Sequence, residues 1–343
     1  MSRSWLNLGA VAGSLVAILL LVVHNNEGHA AYHLLNVSYD PTRELYRDIN
    51  PLFVEKCLKD ERVSVIIEQS HAGSTYQAKR VADRELRADV VTLGLPSDIE
   101  ILRSKGLIPD GWEDRLPNRS SPYTSTIVFV VRRGNPSGIH DWPDLLKKGV
   151  EVIVPDPKTS GNGKLAVLAA WGAIVTQGGS EKQAREYLTA LFQHAPFLDP
   201  AARMAGEAFA VENQGDVQLA WENEALREKD HSNGQLEIVY PSRSILAEPA
   251  VAWVDANVAE DGTARVARHY LEFLFSHDGQ EIIARDGYRP FDAQVLEEHA
   301  DRFPKVDLFP ITAIAAGWTD AYQKFFSDNG IIDVVSTPKP RTE

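Results

Sequence analysis

The sequence predicts an α/β protein of two lobes, each a mainly parallel sheet flanked by helices, with a hinged cleft between them. Three observations predict it. Apolar runs of strand length alternate with helical segments, the pattern of parallel β-α-β units. The alternation breaks at Ser121–Thr126 and again between Tyr240 and Ala250, so two α/β series are joined twice. A chain of 343 residues is also long enough for two lobes and a substantial core.

The elements follow in order. Leu34–Tyr39 reads as a buried strand running into Asp40-Pro41-Thr42, where Asp40 is a good helix N-cap and Pro41 suits the first helical position. Ser64–Gln69 is a second strand. It leads through His71-Ala72-Gly73 to a helix starting near Ser74 and running through Ala78, Val81 and Leu86. Asp89–Leu93 is a third strand, and Ile127–Arg132 is a long apolar one. Glu151–Val154 opens the second series, followed by an Ala-rich buried helix from Gly163 to Ile174 and a further helix from about Ser180 to Phe192. Val217–Trp221 is a strand, Glu222–Arg227 helical, and the chain returns at Ala250–Val254. Val266–Phe275 and Gly279–Arg285 are helices. These breaks assign residues 31–122 and about 246–335 to a first lobe and about 123–245 to a second. The tail 336–343, with its prolines and lysine, reads as disordered.

Residues 1–30 read as an export signal. Arg3 precedes an uncharged stretch from Leu8 to Val23, short for a membrane span, and Gly28-His29-Ala30 offers a small-x-small site for cleavage after Ala30. The alternative is an uncleaved anchor. No cysteine stands near the cut to take a lipid, and Cys57, the only cysteine, leaves no internal disulfide. The expected location is the periplasm of a Gram-negative bacterium.

The formal net charge of −13 argues against a nucleic-acid partner, and no stripe of Lys and Arg appears. An anion site in such a chain must come from dipoles or a local patch. Four short segments supply candidates: Tyr39-Asp40-Pro41-Thr42, Ala72-Gly73-Ser74-Thr75, Thr159-Ser160-Gly161-Asn162-Gly163 and Pro200-Ala201-Ala202-Arg203. Each lies at a strand-to-helix turn, where ligands of open α/β sheets sit and where unpaired amides and the positive dipole end favour an anion. Read one at a time, Asp40 and Ser74 are equally well explained as helix starts, the Ser160 loop as a tight turn and Trp221 as a core residue.

Other chemistries fit poorly. Gly163-Lys164 suggests a phosphate loop, but Lys158 stands where the first glycine belongs and Leu165 where Ser or Thr belongs. No G-x-S-x-G surrounds Ser74 or Ser160, which leaves a serine hydrolase without its nucleophile turn. The histidines lack metal-ligand spacing. No cofactor, metal or catalytic residue is expected.

Long segments resemble the periplasmic sulfate-binding proteins that serve ABC importers. They include Leu34–Tyr46, Gln69-Ser70-His71, Pro122–Phe129, Leu168-Ala169-Ala170-Trp171-Gly172, Gly215-Asp216-Val217, Ala220–Ala225, Ile245–Pro249 and Tyr288-Arg289-Pro290. The resemblance implies the two-lobed type II periplasmic binding fold. It also implies a sulfate held by the backbone N–H of Asp40, by Ser74, by Ser160, by the amides of Gly161 and Asn162, by the amide of Ala202 and by the indole of Trp221. Partners would be sulfate and the membrane permease subunits, with the protein itself a monomer and not an enzyme. Asn162 and Ala72 replace glycines common in that family, and Pro200-Ala201 replaces Ser-Gly. Pro200 cannot donate a backbone bond, which puts the geometry of the Ala202 loop in question. Every implied contact is a donor, which suits fully ionised sulfate and leaves the proton of hydrogen phosphate unmatched. Thiosulfate is the alternative ligand. Hydrolysis of sulfate or phosphate esters is the alternative from another class, and it lacks a nucleophile-base pair.

Overall fold

The computed structural model describes residues 31–336, so the export segment 1–30 and all of the tail but Ser336 lie outside the described residues. The first sheet runs in the order β11-β3-β1-β2, with β1 Tyr32–Tyr39, β2 Val65–Ala72, β3 Val90–Leu93 and β11 Ala250–Trp253. β1, β2 and β3 are parallel, and β11 closes one edge antiparallel to β3. Tyr39 lies opposite Ala72. Both strands therefore end at one level, and the turns that follow them start side by side.

The second sheet has the order β7-β6-β8-β5-β9, built from β5 Ile127–Arg132, β6 Val152–Pro155, β7 Leu198–Asp199, β8 Val217–Trp221 and β9 Leu236–Val239. β6 runs parallel to β7 and β8, but β5 is antiparallel to β8 and β9. This sheet is mixed because β5 enters from the other lobe and not through a local β-α crossover. β5 is buried on both faces. Ile127, Phe129 and Val131 join one apolar cluster while Val128 and Val130 join another, which is why it reads as an unbroken apolar run.

The lobes are joined where the backbones of Ser125 and Ala247 exchange hydrogen bonds of 3.1 and 2.9 Å. Beside them, β4 (Tyr123–Thr124) pairs with β12 (Arg289–Pro290), and β10 (Arg243–Ile245) pairs with β13 (Asp307–Phe309). Arg289 clamps Glu222 with bonds of 2.6 and 2.7 Å.

One lobe assignment differs from the expectation. Residues after 307 pack mainly against the second lobe, although the helix Trp318–Phe325 also meets the first lobe's helix Pro96–Ser104. Phe309, Ile311, Ile314, Phe325, Ile331, Ile332 and Val335 share an apolar cluster with β5, β6 and the helix Gly161–Val175. That helix is apolar all round, with Leu165, Ala169 and Trp171 almost fully buried. Such a helix needs cover on every side, and the C-terminal arm supplies what its own sheet cannot. Gly172 is where the arm seats most closely, since a Cβ there would lie 2.0 Å from Cζ of the Phe309 ring.

Gly172→Ala therefore forces the Phe309 ring out of its seat. The expected outcome is a loss of about 1–3 kcal/mol of stability, the usual range for overpacking a core, read as a lower melting temperature. An unchanged melt would show that the arm is not held there.

Candidate functional site

The helix Ser74–Ala82 follows β2, Gly161–Val175 follows β6, Ala202–Ala210 follows β7, and Glu222–His231 follows β8. Each has an N-cap residue in a non-helical conformation, and these are Gly73, Ser160, Ala201 and Trp221. First-turn amides of such helices have no intrahelical partner. After β1 comes a short turn, Asp40–Thr42, leading into the helix Arg43–Lys56.

Close approaches between the lobes show that these turns converge. A Cβ added to Gly161 would stand 3.2 Å from Ser74 Cβ. One added to Gly94 would meet Tyr39 at 3.4 Å, Trp221 at 3.5 Å and Ser74 at 3.6 Å. One added to Gly73 would meet the carbonyls of Thr159 and Pro200. The Thr159 hydroxyl donates to the Pro200 carbonyl at 2.7 Å, tying the third segment to the fourth. Asp40, Ser74, Ser160, Gly161, Asn162, Ala202 and Trp221 thus sit in or beside one closed cleft.

Two local roles differ from expectation. Asp40 does not cap its own turn: Tyr39 is the capping residue, and the Asp40 carboxylate accepts instead from the Arg43 guanidinium at 2.9 Å. Ser74 does not present a free hydroxyl. It donates to Asp98 Oδ2 at 2.6 Å and accepts from the Gly94 amide at 2.9 Å, so its amide is what remains for a ligand.

Ser160 keeps its proton. Its oxygen accepts from the Gly163 amide at 3.4 Å, which leaves the O–H free to donate. Asn162 turns its side chain to the Leu219 carbonyl at 3.2 Å and has negative φ, so its backbone suits a non-glycine residue. Pro200 acts as an acceptor, not a donor, and Ala201 in extended conformation starts the helix without a side-chain cap. Trp221 is fully buried with its indole tilted against Tyr39, ring centroids 5.5 Å apart. Its Nε1 has no hydrogen-bond partner. A buried donor left unpaired costs about 1–3 kcal/mol, so this nitrogen is free to donate to a ligand.

Two cations of the cleft are paired with acids across the lobes. Lys164 and Asp98, 1% and 0% exposed, pair across the lobes at 3.0 Å. Burial pulls the Lys164 ammonium below the ordinary lysine value, and Asp98 opposes that shift. Arg203 pairs across the lobes with Glu44 at 2.9 Å. His71 Nδ1 stands 2.6 Å from the Ser38 hydroxyl while the Ser74 hydroxyl donates to Asp98, so the two do not form the Ser–His pair a hydrolase would need. Burial and then Arg43 lower its pKa to about 4, keeping it neutral near pH 7. Any positive field in the cleft therefore comes mainly from oriented amides.

From the sequence, Asp98 is not singled out, Glu44, Arg203 and Glu224 stand only inside longer segments, and Lys164 only in the phosphate-loop reading that its neighbours exclude. Lys164 carries the one available signal, as a lone charge in an Ala-rich apolar helix. Glu224 Oε2 is buried without a partner, and burial followed by the charge of Glu228 raises the Glu224 pKa to about 8. Burial likewise lifts Glu228 to about 7. Among the described residues no cluster of His, Cys, Asp and Glu could hold a metal ion, and no helix is long and apolar enough to cross a membrane.

Residues 34–289 match the family described as bacterial extracellular solute-binding protein. The sulfate-binding protein of Escherichia coli K12 is 46% identical over 305 residues, covering 88% of this chain and 92% of that protein. The thiosulfate-binding protein of Pseudomonas aeruginosa is 44% identical over 312 residues, covering 90% and 94%. Among solved structures, the sulfate-binding protein SubI from Mycobacterium tuberculosis superposes with a TM-score of 0.78 at 28% identity, covering 86% of this chain and 99% of that one.

The two buried glutamates make stability fall with rising pH. Their folded pKa values lie above the unfolded value of about 4.3. The stability they contribute is complete below that value and is lost as pH rises through about 7 and 8. Glu224→Gln should remove part of this slope and raise the melting temperature at pH 9 more than at pH 5. Parallel melting curves for wild type and variant across that range would contradict it.

Proposed function

The chain belongs to the bacterial extracellular solute-binding protein family, and from that membership we propose that it captures sulfate in its interlobe cleft and delivers it to an ABC importer. It is a solute carrier, not an enzyme, and works outside the cytoplasm. We place it in the periplasm, freed by cleavage after Ala30, with the importer's permease subunits as its membrane partners.

The observation that carries the reading is the unpaired, buried Nε1 of Trp221 among converging helix N-termini. A doubly charged tetrahedral anion offers acceptors on all sides. The amides of Asp40, Ser74, Gly161, Asn162 and Ala202, the Ser160 hydroxyl and the Trp221 indole offer only donors. Sulfate fits such a set without a proton to place. Hydrogen phosphate brings an O–H that needs an acceptor, and the nearby Asp98 carboxylate already accepts from Ser74, Thr75 and Lys164. Leaving that proton unmatched costs about 1–3 kcal/mol, or roughly one to two orders of magnitude in affinity. Thiosulfate shares the charge and most of the shape. The Pseudomonas relative that binds it is nearly as similar to this chain as the sulfate-binding one from E. coli, so both anions belong in the same titration.

Ser160→Ala should weaken sulfate binding by about 1–3 kcal/mol, the cost of losing a hydrogen bond to a charged partner, and more than Thr159→Ala does. Trp221→Phe should also bind more weakly and lose the saturable fluorescence change that sulfate gives wild type. Calorimetry checks both. Wild-type affinity in the Trp221 variant would remove the indole from the site.

The donors do not titrate between about pH 5 and 7, and His71 stays neutral because its pKa is about 4. Sulfate affinity is therefore flat over that window. Above it Glu224, close enough to Asp40 and Arg203 to feel both charges, loses its proton near pH 8 and adds negative charge beside the anion. Affinity should fall there, and Glu224→Gln should keep it level. Titrations on both sides of the window decide this, and phosphate should bind poorly throughout.

A further inference from the structure

We infer that Gly73 sets how far the two lobes close, through the side chain it lacks. The inference rests on the anion-binding reading above. Gly73 has φ −55° and ψ 135°, a conformation open to any residue. Its own backbone gives no reason for glycine. The opposite lobe does. A Cβ at position 73 would lie 2.6 Å from the Thr159 carbonyl oxygen and 3.4 Å from that of Pro200, whereas carbon and oxygen settle no closer than about 3.3 Å.

The obstructing atom cannot rotate away, because it is main chain in a braced loop. The amides of Thr159 and Ser160 both bond to the Asp156 carbonyl, at 3.2 and 2.9 Å, and the Thr159 hydroxyl holds Pro200 at 2.7 Å. A methyl group at 73 would therefore hold the lobes apart by roughly 0.7 Å at this point, the shortfall from an ordinary carbon–oxygen contact. The next residue is Ser74, whose amide faces the anion in our reading and whose Cβ would stand 3.2 Å from a Cβ added at Gly161. Donors on the two lobes must reach one ligand at about 2.9 Å, and hydrogen bonds weaken as that distance stretches.

The clash exists only when the lobes meet, since Gly73 belongs to the first sheet's turns and Thr159 and Pro200 to the second's. It should therefore act on ligand release and not on folding. Gly73 is in this sense a positioning residue: it touches no ligand, and its role is the closed geometry.

The test uses Gly73→Ala and Gly73→Ser in the full mature chain. Both carry a Cβ, but serine is a better helix N-cap than alanine. Sulfate affinity is measured by calorimetry, dissociation by stopped-flow tryptophan fluorescence, and closure by small-angle scattering with and without sulfate. We expect both variants to bind about tenfold or more weakly, as ångström-scale misplacement of a donor set does. The loss should lie in faster dissociation, with association nearly unchanged, compaction on adding sulfate reduced, and the sulfate-free melting temperature kept. If the serine variant binds like wild type, the defect is one of helix capping and the inference is overturned. Wild-type affinity and compaction in both variants overturn it too, as does a lowered sulfate-free melting temperature in both. Failure of wild type itself to bind sulfate would instead sink the functional reading, and the inference with it.

Discussion

The Asp98 carboxylate lies at the seam of the lobes and accepts hydrogen bonds from the hydroxyls of Ser74 and Thr75 and from the ammonium of Lys164. The first two belong to its own lobe and the third to the other. A buried charge is tolerated only when it is paired and its remaining lone pairs are used; the two hydroxyls meet the second condition from within the lobe, and Lys164 meets the first only while the lobes touch. The same bonds fix the start of the helix at Ser74, and the oxygen of Ser74 in turn takes the Gly94 amide. One acid thus orients two turns of the first lobe and engages a helix of the second.

This arrangement decides where the cleft's positive potential comes from. Lys164 is spent on Asp98, Arg203 on Glu44 and Arg43 on Asp40. With these three side-chain charges paired, the donor set we propose for the anion consists of unpaired amides at helix starts, one hydroxyl and one indole. Such donors keep their protons over the physiological range, and they do not require a mobile cation to be desolvated when the cleft fills. A protein of net charge −13 can in this way present a locally positive cavity.

Much of the fold was legible because local pattern decided it. Ile127–Arg132 and Val217–Trp221 have the bounds their apolar runs suggest, since both strands are buried on two faces and end at polar neighbours. The four turn segments stood out because small residues gather at strand-to-helix turns, although each one alone reads equally as a helix start or a tight turn. What stayed hidden depended on partners distant in sequence. Nothing local says that Asp98 meets Lys164 or that Glu44 meets Arg203. Asp40 reads as a cap because capping is the commonest use of such a residue, and Arg43 three positions on wins its carboxylate. The C-terminal arm was assigned to the first lobe, while its apolar cluster lies mainly with the second, because buried residues do not say against what they are buried.

That arm has a consequence for the order in which the molecule can be made. A chain that emerges from its N-terminus delivers β1 and β2 first, and the first sheet is completed when β11 arrives. The second lobe has its strands in hand earlier, yet its Ala-rich helix keeps one side bare until Phe309, Phe325 and Ile332 emerge at the far end. The lobe that begins later and looks self-contained is thus the last to become watertight. Until then its apolar flank is open to chaperones and proteases, and a truncation before Phe309 would uncover the helix Gly161–Val175 in the middle of the chain.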